Sequence, residues 1–121
     1  MRISRKGGVP AEAWRFDGVL LRSEANDCPL LILEGMEAFL CLDDRPGWCW
    51  RIDDNAIVRF PDAKPLWCLD DGGLHRAARP VETRWRFDGR SLEQHASLRP
   101  DRWEATADVP LLVIAFAAGL L

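Results

Sequence analysis

Three pairs of adjacent carboxylates, Asp43-Asp44, Asp53-Asp54 and Asp70-Asp71, are the first residues whose type and spacing suggest chemistry. Paired carboxylates can share a proton or hold a calcium ion. Each pair, however, follows an apolar run at the point where a strand would end. Asp is favoured there because its side chain bonds its own backbone. A calcium loop would space its oxygen ligands differently and close with a Glu. The pairs are therefore read as turns, and no metal site or cofactor is expected.

The nucleophile and base candidates are few. His75 and His95 are the only histidines, and neither lies near a Ser or Cys in a known local motif. Cys68 and His75 can meet across one hairpin, but a surface histidine beside a half-buried cysteine accounts for the same spacing. Nothing resembles a P-loop or a G-x-G-x-x-G turn. Cys28, Cys41, Cys49 and Cys68 show no C-x₂₋₄-C spacing, which leaves a zinc knuckle without support. An even count is compatible with two disulfides. Met1 to Gly8 is polar and basic rather than a signal peptide, so free thiols in a reducing cytoplasm are expected. The expectation is of a protein that is not an enzyme.

Arginine is the remaining candidate for chemistry. Arg76, Arg79, Arg84, Arg86 and Arg90 form the densest basic cluster. A guanidinium fork suits phosphate oxygens, so the cluster is a candidate site for a phosphate-bearing ligand or an anionic lipid headgroup. The plainer reading is the outer face of two neighbouring strands, ion-paired to acidic residues. Those acids are concentrated mid-chain. Residues 1–22 carry five basic and two acidic groups, residues 23–72 four and eleven, and residues 73–102 seven and four. The net charge is −3, and a nucleic-acid partner is not expected of a chain that is acidic overall. Of the 16 basic residues only Lys6 and Lys64 are lysines, a bias that reads as a GC-rich bacterial or phage genome.

The elements that must position these residues are short strands. Trp14-Arg-Phe-Asp17-Gly18 recurs letter for letter as Trp85-Arg-Phe-Asp88-Gly89, with variants Trp50-Arg-Ile-Asp53-Asp54 and Trp67-Cys-Leu-Asp70-Asp71 and a weaker copy at Leu40-Cys-Leu-Asp43-Asp44. Each is a period-2 run entering a turn. Trp and the apolar residue two positions on share one face, and the residue between them faces outward. The tryptophans could stack bases or sugars, but their common phase makes them core. A two-residue turn at Asp17-Gly18 puts Phe16 opposite Val19 and Trp14 opposite Leu21. In the second copy the same register puts Arg90 beside Phe87, so that turn is expected to differ. Further strands are expected near Pro29–Leu33, Ala38–Leu42, Ile57–Phe60, Leu74–Ala78, Leu92–Ser97 and Trp103–Ala107. No linker divides the 121 residues, so a single mainly β domain is expected, an antiparallel hairpin-built barrel or sandwich.

Residues 109–121 break the pattern by being apolar throughout. With Asp108 as N-cap and Pro110 in a first turn they read as a helix, although Leu111–Phe116 would also serve as a buried strand. A helix apolar on all sides must be buried. At ~1.5 Å per residue it is about 20 Å long, too short to span a bilayer.

The aromatic-x-apolar-Asp-x-Gly hairpins, followed by Trp103-Glu-Ala-Thr-Ala-Asp108-Val-Pro-Leu-Leu-Val-Ile-Ala-Phe-Ala-Ala, resemble the tubby C-terminal-like superfamily, which includes LURP-one-related and phospholipid scramblase-like proteins. The resemblance implies a closed antiparallel barrel threaded by a hydrophobic C-terminal helix. It also implies a binding or scaffold domain for phosphoinositide-like or anionic lipids, and it assigns no binding residue. The competing expectation is a small acidic inhibitor or immunity-type protein that uses segment 23–72 to hold a basic protein partner.

Overall fold

Twelve short strands, each antiparallel to both neighbours, close into one barrel around the apolar tail. The computed structural model describes residues 1–7, 12–41, 48–78, 84–95 and 98–121. The strands are β1 (Arg2–Arg5), β2 (Ala13–Phe16), β3 (Leu20–Ser23), β4 (Pro29–Glu34), β5 (Glu37–Leu40), β6 (Cys49–Asp53), β7 (Ala56–Phe60), β8 (Lys64–Asp70), β9 (Gly73–Arg76), β10 (Arg84–Phe87), β11 (Ser91–Gln94) and β12 (Arg102–Ala105). They follow one another around the barrel in chain order, and β1 closes the ring by pairing with β12. Closure leaves no strand edge unpaired. The helix is α1 (Leu111–Ala117).

The tryptophan repeat has a simple meaning in this frame. Trp14, Trp50, Trp67, Trp85 and Trp103 lie on β2, β6, β8, β10 and β12, strands that all run the same way. Each Trp therefore stands toward one end of the barrel, and the apolar residue two places on lies nearer the other end, half-buried at Ile52, Leu69, Phe87 and Ala105 and buried at Phe16. The Asp or Asp pair that follows in four copies reaches the tip of a tight hairpin at the other end. Trp50, Trp67, Trp85 and Trp103 are buried, and Trp14 is half-buried. β5 ends at Leu40, the first residue of the weaker copy, and Leu42, Asp43 and Asp44 lie outside the described residues.

The register of the first hairpin differs from the sequence expectation. Phe16 pairs with Leu21 and Trp14 with Ser23, so the two loop residues are Gly18 and Val19 rather than Asp17 and Gly18. Asp17 stays at the end of the ladder. Its carboxylate accepts the Val19 and Leu20 N–H groups at 2.8 and 2.7 Å, and its own N–H donates to the Leu20 carbonyl. Gly18, at φ 103°, supplies the positive φ that a Gly-first hairpin needs. Val19, expected inside, is 53% exposed. The second copy, expected to differ, is the same turn. Phe87 pairs with Leu92, Asp88 accepts the Arg90 and Ser91 N–H groups, and Gly89 sits at φ 102°. At Asp54-Asn55 and Asp71-Gly72 both loop residues have positive φ, the form of a I′ hairpin, which agrees with reading those carboxylates as turn residues.

The terminal segment is a helix, shorter than residues 109–121. Asp108 does not cap it. The residue before the helix is Pro110, whose carbonyl accepts the Val113 and Ile114 N–H groups, while the Asp108 carboxylate accepts Arg90 Nε at 3.0 Å. Gly119 at φ 80° ends it, with Gly119 N–H donating to Phe116 and Leu120 N–H to Ala115, a Schellman ending. Leu112, Val113, Ile114, Ala115 and Ala117 are buried, and the Phe116 ring lies 6.1 Å from that of Trp14 and 5.8 Å from that of Trp50. The helix fills the barrel and packs in one core with the inward residues of the strands, among them Ile3, Leu21, Ile57, Trp67 and Leu92. The sequence expectation missed β1: Ile3 is fully buried between Trp14 and Ala105, but a single apolar residue in a basic stretch carries no visible period.

Candidate functional site

Arg2, Arg15 and Arg22 stand in one row on the outer wall. β1 pairs Arg2 with Arg15, and β2–β3 pairs Arg15 with Arg22. Ile3, Phe16 and Leu21 are buried, so strand alternation turns all three arginines outward. Like charges placed directly opposite one another destabilise a sheet. One carboxylate offsets them: Glu24 Oε1 accepts Arg2 Nε at 2.9 Å and Arg15 Nε at 3.1 Å. These two arginines hold its carboxyl below the ordinary carboxylate range. Among the described residues, Glu24 takes only the Nε groups and leaves the Nη groups of both arginines uncommitted. Arg22 has a single long hydrogen bond among the described residues, 3.5 Å to the backbone carbonyl of Asp27.

The row lines an open cleft of about 480 Å³. Met1 and Leu20 add apolar side chains to its lining, the buried Phe16 borders it, and Asp17 and Asp27 bound the cleft along the strand direction. The Asp17 charge is already engaged. The N–H of Leu20, then that of Val19, hold its carboxyl low. The site therefore offers three guanidiniums in register, two of them held by a shared carboxylate, beside a small apolar wall. That arrangement suits a ligand rich in phosphate oxygens.

The arginines singled out from the sequence are spread over the barrel. Arg76 ends β9 at the barrel's long-loop end, its guanidinium 5.2 Å from the centre of the Trp67 ring. Arg86 points outward from β10, opposite Glu93. Arg90 is at the opposite end from Arg76, on a hairpin tip, and pairs with Asp108 rather than with the acidic middle segment. Arg84 lies on β10 opposite His75, and Arg79 lies outside the described residues.

Cys68 and His75 do face each other across β8 and β9, on the outer wall, and Cys68 is exposed rather than half-buried. His95 lies in a shallow cleft with Arg86 and Glu93. Ser91 is buried and gives its hydroxyl to Asp88 at 2.8 Å, an interaction that closes a turn. Arg102 binds both Glu93 and Glu104 nearby. Among the described residues, no three His, Cys, Asp or Glu side chains are placed to hold a metal ion, and no helix is long and apolar enough to cross a membrane.

The fold thus defines a closed twelve-stranded antiparallel barrel filled by its own C-terminal helix, with an arginine row on its wall. Compared with protein-family models, curated proteins and solved structures, the chain finds no match.

Proposed function

We propose that the protein is a non-enzymatic binding module that takes a phosphate-bearing ligand, a lipid headgroup or a free phosphate compound, on the row Arg2, Arg15 and Arg22. The observation that carries this is the cross-strand placement of Arg2, Arg15 and Arg22 side by side, an arrangement that like-charge repulsion opposes, with Nη groups of Arg2 and Arg15 that no described residue takes up beside a cleft. The helix-filled barrel is also the architecture implied by the tubby-like resemblance, which supports a binding role. Calorimetric titration with pyrophosphate tests the reading. Binding is expected to the protein, to weaken sharply in Arg15→Gln, and to fall as salt rises. Equal binding by both proteins overturns the site. The Arg15 side chain is 74% exposed, so this variant is expected to remain folded.

A second reading rests on a separate observation. The hairpins β4–β5, β6–β7 and β8–β9 bring Glu34, Glu37, Asp53, Asp54, Asp70 and Asp71 of the acidic middle segment to one end of the barrel. This end suits a basic protein partner. Recovery of such a partner that dissociates at high salt, together with no affinity for phosphate compounds, favours this reading over the first.

A further inference from the structure

We propose, resting on the phosphate reading above, that the ligand is an extended chain of linked phosphates lying across the strands, not a single phosphate group. Neighbouring strands are about 4.8 Å apart, so the outer members of a row on β1, β2 and β3 are separated by roughly 10 Å at the backbone. That width exceeds what the oxygens of one phosphate reach. The three arginines are in ladder register, which makes the row straight and evenly spaced.

The flanking charges fix the direction of the chain. Asp17 lies below the row at the β2–β3 tip, and Asp27 lies above it in the β3–β4 connection. A polyanion running along a strand would meet one of these carboxylates. A polyanion running across the strands meets the three arginines and Glu24, whose carboxylate is already bonded to Arg2 and Arg15. Among the described residues, Glu24 holds Arg2 and Arg15 by Nε alone, which leaves their Nη groups able to donate to a ligand. Arg22 then extends the row by one strand.

A nucleic-acid strand also carries linked phosphates, but it carries bases as well. Four of the six tryptophans are buried in the barrel, and the cleft is lined by no tryptophan. Phe16, the aromatic residue at the cleft, is only 4% exposed, so the bases would find no open ring to stack on at this site. A condensed phosphate chain needs none.

The test is calorimetric titration of the full chain at one salt concentration with inorganic phosphate, pyrophosphate, linear tripolyphosphate, cyclic trimetaphosphate and a short oligothymidylate. Affinity is expected to rise roughly tenfold or more for each guanidinium added to the contact, the ratio that a charge-assisted hydrogen bond supports. Linear tripolyphosphate is then the tightest small ligand, ahead of the cyclic trimer. Arg22→Gln is expected to lower its affinity toward that of pyrophosphate while leaving pyrophosphate binding nearly unchanged. Equal affinity for phosphate and tripolyphosphate, or for the linear and cyclic trimers, overturns the extended chain but leaves the phosphate site standing. Tighter binding of oligothymidylate than of tripolyphosphate also overturns it, in favour of a nucleic acid. Absence of binding by every phosphate compound overturns both readings.

Discussion

Trp67 donates its indole N–H to the backbone carbonyl of Leu120, 2.9 Å away, and so ties the barrel wall to the chain just past the end of the helix inside it. The other buried indoles are not all so placed. Trp50 and Trp103 bury their N–H groups without a hydrogen-bond partner among the described residues. Trp67→Phe removes a bond worth about 1 kcal/mol, whereas Trp103→Phe removes an unsatisfied donor from the interior. Chemical denaturation is expected to rank Trp67→Phe as the more destabilising of the two. The reverse order contradicts the hydrogen bond.

The helix supplies the barrel's filling, so losing it should cost far more than any surface change. Ile114 is fully buried, and Ile114→Ala is expected to cost about 2–5 kcal/mol. Removal of Val109–Leu121 is expected to abolish folding. Circular dichroism and proteolysis check both. A truncated chain with sharp thermal unfolding would show that the barrel stands without its plug.

Acid stability should depend on the two Asp-Gly hairpins. The Asp88 carboxyl is held below the ordinary carboxylate range by the N–H of Arg90 first, then by the N–H and hydroxyl of Ser91. A carboxyl whose folded value is lowered stabilises the fold at higher pH, and that contribution is lost as pH falls through the folded value. Melting temperature should therefore fall below about pH 4. In Asp88→Asn this part of the slope should flatten, with a lower melting temperature at neutral pH. Parallel curves for the two proteins contradict the assignment.

The arginine row is a stability cost, so relieving it should help the empty protein. Arg22→Thr removes one member of a like-charged cross-strand pair and suits a strand position. It is expected to stabilise by about 0.2–1 kcal/mol in the absence of ligand, measured by denaturant titration. Destabilisation by this change would show that Arg22 is structural.

Much of the barrel could be read from residue order because Trp-x-apolar-Asp has the period of a strand and Asp ends it. The helix was visible for the opposite reason, since residues 109–121 have no polar face at all. The arginine row was hidden by two local effects. Asp17 satisfies its turn with its side chain and moves the loop on to Gly18-Val19, which changes the partner of Arg15 from Leu20 to Arg22. Arg2 joins the row only through β1, where Ile3 is the one inward residue and no alternation can be seen. Proximity in sequence drew attention to residues 76–90 instead, but the described members of that cluster lie at opposite ends of the barrel and on its wall. The basic count of residues 1–22 was the available signal, and it needed the register to acquire a meaning.

The central claim is that phosphate oxygens are held at Arg2, Arg15 and Arg22. The most direct measurement is a nuclear magnetic resonance titration with linear tripolyphosphate that follows the arginine side-chain Nε–H signals. Saturable shifts are expected at Arg2, Arg15 and Arg22, with Arg86 and Arg90 unmoved. Shifts confined to Arg86 and Arg90, or none at any of the five, would contradict it.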